Sequence, residues 1–296
     1  MTQSTDPTQP TDPTQEGGLS SPQQKQEGGL SSPHPNPTHP QWTDLSTPPP
    51  NDFLQAAATL GIDFEPTDLD NLARFLALLL DANTRTNLTA ITDPAEAWTR
   101  HILDALTLLP MLAELPEAAR IIDIGSGGGL PAIPLAIVCP HLHFTLLEAT
   151  GKKVAFLRET IAALSLPNAE VIQGRAEQIG QDRGTRQPDG SRSAGLRESF
   201  DVVTARAVGR LAVVAELTVP LAKPSGLVLL IKGQRADEEL AEAAKALEIL
   251  GARHAGTVET PTGRIVALEK NCLTPRTYPR RDGEPKRVPL GVPKKA

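Results

Sequence analysis

The segment Ile121-Ile-Asp-Ile-Gly-Ser-Gly-Gly-Gly-Leu-Pro131, followed by Leu146-Leu-Glu148, decides the fold of this chain. It has the pattern of a buried strand, a glycine-rich loop, a helix and a second strand that ends in a carboxylate. The glycines at 125, 127, 128 and 129 predict a sharp turn where the backbone can approach a ligand. Glu148 lies at the spacing of a ribose-binding carboxylate. The stretch therefore predicts a cleft for an adenosine-containing cofactor.

Short apolar runs alternate with helical patterns from Arg120 onward, which indicates an α/β fold with a parallel sheet covered by helices on both faces. The last two predicted strands have no helix between them, so we expect them to form an antiparallel hairpin. The predicted strands are 120–124, 143–147, 170–173, 200–204, 226–232, 252–258 and 264–270, and the predicted helices are 131–139, 152–164, 211–221 and 237–250.

Residues 51–119 read as a helical cap that precedes the sheet. Thr67-Asp-Leu-Asp70 has the form of a capping box, and Asp93 before Pro94 is a second start signal. The helix that Asp93 opens is expected to carry one apolar face. That face would contain Trp98, Ile102, Ala105, Leu106 and Leu109.

The remaining segments differ from these in composition. Residues 1–50 contain two pairs of short repeats rich in Pro, Gln, Ser and Gly, and we expect a disordered tail because such sequence cannot bury a core. Residues 181–198 are predicted to be a flexible surface insertion within the cofactor-binding domain, 120–270. Residues 271–296 are predicted to be a basic tail.

Composition limits the class of protein. The 296 residues, 39% of them hydrophobic, suffice for one or two domains with their own cores. No secretory pattern and no long apolar run occurs, so we expect a cytoplasmic protein without a membrane partner. We also expect a monomer, although no feature of the sequence decides the oligomeric state. The two cysteines, Cys139 and Cys272, have no metal-ligand spacing, so no metal is expected.

Charge is unevenly distributed along the chain. The net charge is −6, yet the stretch from Lys270 to Ala296 has eight basic residues against two acidic ones, a local charge of +6. Clustered Lys and Arg can neutralise nucleic-acid phosphates, but the same charges also occur in simply solvated tails. Charge alone leaves both interpretations open.

The glycine loop is compatible with two cofactors. Gly127-Gly-Gly129-Leu-Pro-Ala132 fits the dinucleotide fingerprint of a nicotinamide or flavin oxidoreductase, and Asp123-Ile-Gly125-Ser-Gly127-Gly-Gly129 fits the loop of enzymes that bind S-adenosylmethionine. A carboxylate at position 123 would repel a pyrophosphate but attract the ammonium and sulfonium of S-adenosylmethionine. Asp123 therefore favours S-adenosylmethionine.

Eight motifs between about residue 52 and residue 270 carry a family resemblance. They are Asn87-Leu-Thr-Ala-Ile91, His101-Ile-Leu-Asp104, Asp123 to Pro131, Gly151-Lys-Lys153, Phe156-Leu157, Arg175-Ala-Glu177, Ala205-Arg-Ala207 and Lys232-Gly233. Their order resembles the bacterial small-subunit rRNA methyltransferase G family, also called glucose-inhibited division protein B. The resemblance implies a class I methyltransferase with a Rossmann-like, doubly wound, seven-stranded sheet. It also implies that S-adenosylmethionine is used to methylate N7 of guanine 527 in 16S rRNA, within the small ribosomal subunit or its precursor.

By this resemblance, Gly125, Leu130, Ala176, Glu177 and Arg206 are cofactor-contacting positions. The residues themselves add Asp123, Gly127, Gly129 and Glu148. Arg206, after the fourth strand, would hold the methionine carboxylate or a substrate phosphate. The family pattern is broken at two positions, where Ala82 replaces a common aromatic residue and Ala132 replaces a glycine.

Arg206, Lys232, His101 and Asp104 are the candidate catalytic residues, and Arg175, Lys153, Arg280 and Arg281 are the candidate RNA contacts. His101 and Asp104 are three residues apart on a helix and can face one side, in a structural or a catalytic role. Guanine N7 has a free lone pair and no proton, so its methylation needs no general base. Two other interpretations stay open here, a nicotinamide-linked oxidoreductase and a non-catalytic rRNA-binding assembly factor.

Overall fold

The computed structural model describes residues 47–186 and 193–292. The predicted N-terminal tail lies outside the described residues except for its last four, and so do residues 187–192 of the predicted insertion and 293–296 of the basic tail.

A seven-stranded sheet forms the centre of the described chain, with strand order β3-β2-β1-β4-β5-β7-β6. β1 to β5 run parallel, while β7 runs antiparallel to both β5 and β6. The strands are β1 Arg120–Ile124, β2 His143–Glu148, β3 Ala169–Gln173, β4 Phe200–Arg206, β5 Ala222–Lys232, β6 Ala252–Thr260 and β7 Gly263–Lys270. This confirms the seven predicted strands and the terminal hairpin.

Helices precede the sheet and connect its strands. The helices before the sheet are α1 Asn51–Thr59, α2 Pro66–Asn83, α3 Pro94–Ala97, a π-helical turn Trp98–Leu103, α4 Asp104–Leu106 and α5 Leu109–Leu112. Those that follow are α6 Ala132–Val138, α7 Gly151–Ala163, α8 Ala176–Ile179, α9 Leu211–Thr218, α10 Ala236–Leu250 and α11 Glu284–Arg287. The four predicted connecting helices are confirmed, while α8 and α11 were not predicted as helices.

Two local predictions in the helical cap were wrong. The capping box of α2 lies two residues earlier than predicted, where the Asp68 carboxylate accepts the backbone N–H of Glu65. The helix that starts at Asp93 has its predicted cap, since Asp93 accepts the N–H of Glu96, but it does not continue as one α-helix. A π-helical turn interrupts it, and the polar residues His101 and Asp104 are buried there together with the apolar ones.

Each face of the sheet has its own hydrophobic core. The cap helices, α6 and α7 cover one face, with Ile121 of β1 and Val202 of β4 in that core. α9 and α10 cover the other face, with Ile122 and Val203. Because side chains alternate along a strand, Asp123 points to the cap side of the sheet. The cap therefore supplies one wall of whatever site forms at the ends of β1 and β4.

Candidate cofactor-binding site

The predicted cofactor residues lie at the carboxyl edge of the parallel strands. Asp123 is near the end of β1, Glu148 ends β2, Ala176 and Glu177 begin the helix after β3, and Arg206 ends β4. The chain passes from β1 outward to β3 and then returns to β4 beside β1. This reversal is the topological switch point, where ligands of open α/β sheets bind.

Glu148 holds the glycine loop against the end of β2. Its Oε2 accepts the backbone N–H of Gly127 at 3.1 Å, and its Oε1 accepts the N–H of Thr150 at 2.8 Å. Gly125, Gly127 and Gly129 have positive φ angles of 70°, 55° and 85°, a conformation that glycine adopts readily. A carboxylate has about four acceptor positions, so Glu148 retains capacity for ribose hydroxyls.

Two of the loop glycines pack closely against neighbouring side chains. A Cβ at Gly128 would lie 2.8 Å from Leu79 of α2, and a Cβ at Gly129 would lie 2.4 Å from Ile133 of α6. The sequence suggested the close approach of a ligand as the reason for these glycines. At these two positions the structure gives another reason for glycine, because the loop packs between α2 of the cap and α6. Leu130, the next residue, packs against the same core.

Asp123 is almost completely buried, with 1% of its surface exposed. Its Oδ1 accepts the hydroxyl of Thr204 on β4 at 2.9 Å, while Oδ2 is buried without a hydrogen-bond partner among the described residues. Burial raises the pKa of Asp123 to about 7, although the Thr204 hydroxyl and the charge of Arg206 act to lower it. An acceptor buried and unbonded in this way is costly unless a ligand satisfies it.

Arg206 lies on the same face of the sheet as Asp123, because Asp123 pairs with Thr204 and Arg206 is two residues further along β4. Its Nε lies 3.0 Å from Oδ2 of Asp104, and its Nη2 donates to the carbonyl of Arg100 at 2.7 Å. Nη1 is buried and without a hydrogen-bond partner in the described part of the chain. Two sides of the guanidinium are therefore fixed, and one donor is left unused.

His101 is a neutral side chain that supports this arrangement. Its Nδ1 is 3.0 Å from the carbonyl of Arg100 and its Nε2 is 2.7 Å from the hydroxyl of Thr89. A carbonyl can only accept, so Nδ1 carries the proton and Nε2 accepts from Thr89. Burial, together with the charges of Arg206 and Arg100, lowers the pKa of His101 to about 4. The ring is therefore uncharged at neutral pH.

The structure places Arg206 against Asp104 and His101 of the cap and on the same face of the sheet as Asp123. Asp123 Oδ2 and Arg206 Nη1 are the two buried side-chain polar atoms without a partner in residues 47–186 and 193–292. One is a carboxylate acceptor and the other a guanidinium donor. Such a pair is complementary to a ligand that carries an ammonium and a carboxylate, as an amino acid does.

The region of Ala176 and Glu177 differs from the prediction in its contacts. Glu177 accepts the backbone N–H of Gly283, from the C-terminal part of the chain, at 2.9 Å and a bond from Arg175 at 3.3 Å. Burial acts to raise its pKa, but these bonds outweigh that effect and the pKa of Glu177 lies below its usual range. The site is thus bordered on the β3 side by residues near position 283, which the sequence did not indicate.

Lys232 is not brought to this cluster. Its position on β5 faces the side of α9 and α10, where Val228 and Leu230 point. Its Nζ donates to the carbonyl of Gly209 at 2.6 Å and pairs with Glu239 of α10 at 2.7 Å. Lys232 therefore fixes the loop that follows Arg206 and does not contact the cluster itself.

The four predicted RNA contacts fall into two groups. Arg175 pairs with Glu177 and with Asp282, and Arg280 forms a two-pronged ion pair with the buried Glu216. Lys153, partly exposed on α7, and Arg281, exposed before α11, have no ion pair within the described ranges. Arg175 and Arg280 thus have internal partners, which the local charge pattern gave no means of predicting.

Three threonines of this site were missed by sequence reasoning. Thr204 donates to Asp123, Thr89 bonds to His101, and Thr262, in the turn between β6 and β7, donates to Oδ1 of Asp104. Thr204 could have been found, because it is the polar member of an apolar strand opposite Asp123. Thr262 gives no such signal, since its partner lies far away in sequence.

The described residues offer neither a metal centre nor a membrane span. They contain no group of three or more His, Cys, Asp or Glu side chains arranged to hold a metal ion. No helix among them is long and apolar enough to cross a membrane.

Comparisons with known proteins agree on one family. Residues 68–265 match the family model of rRNA small subunit methyltransferase G. The chain is 50% identical over 233 residues to the ribosomal RNA small subunit methyltransferase G of Sorangium cellulosum, covering 79% of this chain and 92% of the relative. It is 39% identical over 236 residues to the protein of that name from Moorella thermoacetica, covering 78% and 93%.

A distant structural likeness was also found. A crystal structure of a SAM dependent methyltransferase from Aquifex aeolicus superposes with a TM-score of 0.42 at 19% identity, covering 60% of this chain and 94% of that one.

Proposed function

Because this chain belongs to the rRNA small subunit methyltransferase G family, we propose that it methylates N7 of guanine 527 in 16S rRNA. Membership makes it an rRNA methyltransferase that uses S-adenosylmethionine, so the oxidoreductase and non-catalytic interpretations fall away. The choice of the N7 atom and of that guanine is the proposal. It rests on the family resemblance and on a site that offers methyl-transfer chemistry without a general base.

Two buried atoms without hydrogen-bond partners among the described residues support the assignment of the cofactor site to particular residues. Asp123 Oδ2 and Arg206 Nη1 fit the ammonium and the carboxylate of a methionine moiety. Glu148, at the end of the next strand, would accept the ribose hydroxyls. A dinucleotide would instead place a pyrophosphate near Asp123, which like-charge repulsion opposes. The side chains present therefore fit S-adenosylmethionine.

The glycine loop and the helix after β3 would enclose the rest of the cofactor. Gly125, Gly127 and Gly129 shape the loop with their positive φ angles, and Leu130 adds an apolar side chain beside it. Ala176 and Glu177 would border the adenine. Glu177 keeps its charge at neutral pH, because its pKa lies below the usual range of a carboxyl group.

When bound, S-adenosylmethionine supplies the sulfonium methyl group that is transferred. The chain's own residues align the reactants and stabilise charge. Arg206 is held in one orientation by Asp104 and by the Arg100 carbonyl, which fixes the position of the carboxylate that it binds. His101, neutral at physiological pH, donates to the same Arg100 carbonyl that accepts from Arg206, so it supports that carbonyl and does not act as a base. The absence of a base suits guanine N7, which presents a lone pair and no proton.

We propose that the partner is 16S rRNA in the small ribosomal subunit or its precursor, that the enzyme is cytoplasmic because its substrate is, and that it acts as a monomer. Lys153, Arg175, Arg280 and Arg281 are proposed to serve the RNA side of the site, with Arg175 and Arg280 acting through the segment that they hold.

One experiment tests the reaction. Purified protein is incubated with S-adenosylmethionine labelled in its methyl group and with small subunits from cells that lack this gene, and the modified nucleoside is mapped in 16S rRNA. We expect N7-methylguanosine at position 527 and a loss of transfer in the Arg206→Ala variant. Methylation at another atom or another nucleotide would refute the proposal while leaving the family assignment intact.

A further inference from the structure

Residues 271–292, here called the C-terminal segment, are packed against the fold and do not form the free tail that charge alone allowed. Thr274, Pro279, Pro285 and Leu290 are buried. The backbone N–H of Thr274 donates to Glu198, which also binds the fully buried Lys270. The segment therefore has a fixed path beyond β7.

Arg197, at the end of the predicted insertion, donates hydrogen bonds to two carbonyls of the C-terminal segment. Its Nη1 donates to the carbonyls of Gly180 and Tyr278 at 2.6 Å each, and its Nη2 donates to the carbonyl of Thr274 at 2.7 Å. Gln181 adds bonds to the carbonyls of Arg276 and Pro279. The described ends of the insertion thus act as a clamp on the C-terminal segment.

Further along, polar contacts fix the segment to α8 and α9. Arg280 donates from Nε at 2.8 Å to Glu216, which is completely buried in α9. Asp282 accepts a bond from Gln178 at 2.7 Å and pairs with Arg175. Gly283 donates to Glu177 at 2.9 Å. The contacts of Asp282 and Gly283 place this part of the segment at the carboxyl edge of β3, next to the proposed adenine side of the site.

The acidic side chains of the C-terminal segment form ion pairs within the protein, whereas several of its basic side chains have no acidic partner among the described residues. The two carboxylates of the segment, Asp282 and Glu284, both contact arginines. Four basic side chains are exposed, and no carboxylate of the described residues pairs with them. They are Arg276, Arg281, Lys286 and Arg287.

We propose that these four residues form a docking surface for the sugar-phosphate backbone of the rRNA substrate, an inference that rests on the proposed function. Phosphate recognition requires clustered cations whose charge is not already neutralised. A protein with a net charge of −6 would otherwise repel RNA. Because the backbone beneath these side chains is held in place, little ordering is needed on binding. Arg281 adjoins Asp282 and Gly283, which contact α8 beside the methyl-transfer edge, so RNA held there would lie close to the cofactor.

The surface also changes the role expected of two predicted RNA contacts. Arg280 and Arg175 use their charges on Glu216 and on Asp282, so they position the segment and do not supply free charge. Arg281 remains a direct contact. Arg276, Lys286 and Arg287 are new assignments, and they are distinguished by exposure together with the lack of an acidic partner in the described part of the chain.

The test compares two variants with equal reduction of positive charge. In the first, Arg276, Arg281, Lys286 and Arg287 are all replaced by Gln. In the control, Arg85, Arg235, Lys245 and Arg253 are replaced by Gln. The control residues are also exposed, but each already pairs with a neighbouring carboxylate. Binding to unmodified small subunits and to a 16S rRNA transcript is measured over a series of salt concentrations, and S-adenosylmethionine affinity is measured by calorimetry.

We expect the first variant to bind both the small subunits and the transcript at least tenfold more weakly at moderate salt. The slope of log affinity against log salt should fall by about 0.7 to 0.9 for each phosphate that the variant no longer neutralises. Cofactor affinity should be unchanged, which shows that the variant is folded, and the control should match the wild type. Equal salt slopes for the wild type and the first variant would overturn the proposal of a docking surface.

Three other results are also decisive. Weaker binding to subunits with unchanged binding to the transcript would mean that the surface meets a ribosomal protein, and the proposal would be wrong. If the wild-type protein transfers no methyl group to rRNA, the proposed function fails as well. If the wild type is active but the four substitutions leave RNA binding unchanged, only the proposed docking surface is wrong and the proposed function stands.

Discussion

Asp104 and Arg206 connect the helical cap to the end of β4 through a contact of 3.0 Å between Oδ2 and Nε. Asp104 is buried at the end of the π-helical turn, and its other carboxylate oxygen accepts the hydroxyl of Thr262 from the β6–β7 turn. Three distant parts of the chain thus meet at one carboxylate, that of Asp104. The free Nη1 of Arg206 has a fixed direction because of this arrangement.

The Thr262→Val substitution tests whether this network positions Arg206. Removing the hydroxyl deprives the Asp104 carboxylate of a hydrogen bond, and bonds to charged groups contribute about 1.5 to 3 kcal/mol. Only part of that energy acts through Arg206, so we expect S-adenosylmethionine to bind several-fold to about tenfold more weakly, with kcat at saturating cofactor little changed. Calorimetry and steady-state kinetics measure the two effects. The Thr262→Ser variant keeps the hydroxyl and should behave as wild type, and equal cofactor affinity in Ser and Val variants would exclude a positioning role.

The Asp123→Asn substitution tests the proposed ammonium contact. Burial raises the pKa of Asp123 to about 7, but an ammonium ligand binds the ionised form. Cofactor affinity of the wild type should therefore fall as pH decreases below about 7, approaching tenfold per pH unit. The Asn variant should bind about ten- to a hundredfold more weakly at pH 7 and show little change with pH. Calorimetry in buffers of different ionisation enthalpy should detect proton release on binding to the wild type. A wild-type affinity that stays constant between about pH 5.5 and pH 7 would contradict the assignment.

Asp123 and His101 should have opposite effects on stability as pH changes. The pKa of Asp123 rises from 3.8 to about 7 on folding, so its contribution is complete below pH 3.8 and is lost as pH increases toward 7. The pKa of His101 falls from 6.5 to about 4, so its contribution is complete above pH 6.5 and is lost as pH decreases toward 4. In the wild type the two effects offset each other in this window.

Single substitutions should separate these effects. Relative to the wild type, the His101→Asn variant should lose stability as pH increases from about 4.5 to 6.5, and the Asp123→Asn variant should gain it. The free energy of unfolding in urea, measured without cofactor at several pH values, gives both slopes. Differences from the wild type that do not vary with pH would show that neither group titrates as the structure indicates.

The sequence predicted the sheet better than it predicted the helical cap. Buried parallel strands such as β1 and β2 give unbroken apolar runs bounded by polar residues, so their limits can be read locally. The π-helical turn could not be predicted in this way, because the apolar spacing of Trp98, Ile102 and Leu106 is that of an ordinary α-helix, whereas in the structure residues 101–108 are all buried. The loop of Asp123 and the carboxylate of Glu148 were identified because their spacing in sequence is fixed by the strand, loop and helix unit.

Contacts between distant segments were beyond sequence reasoning. Nothing near Arg280 indicates that its partner is Glu216 in a buried part of α9, and nothing near Glu177 indicates that Gly283 binds it. A local excess of Lys and Arg therefore indicated that the C-terminal residues are basic. It could not show which of these cations form ion pairs within the protein. That distinction depends on tertiary structure.

The pair of Arg280 and Glu216 should control the stability of the C-terminal segment. Glu216 is completely buried, and the Arg280→Met substitution would leave its charge without a partner, at a cost of about 3 to 5 kcal/mol. Replacing both residues by Met removes the buried charge, so most of the loss should be recovered. A double-mutant cycle of unfolding free energies measures the coupling. If the costs of the two single substitutions simply add in the double variant, the ion pair does not hold the segment. If the coupling is large, the single Arg280→Met variant should also bind rRNA more weakly, because the cations at 276, 281, 286 and 287 would lose their fixed support.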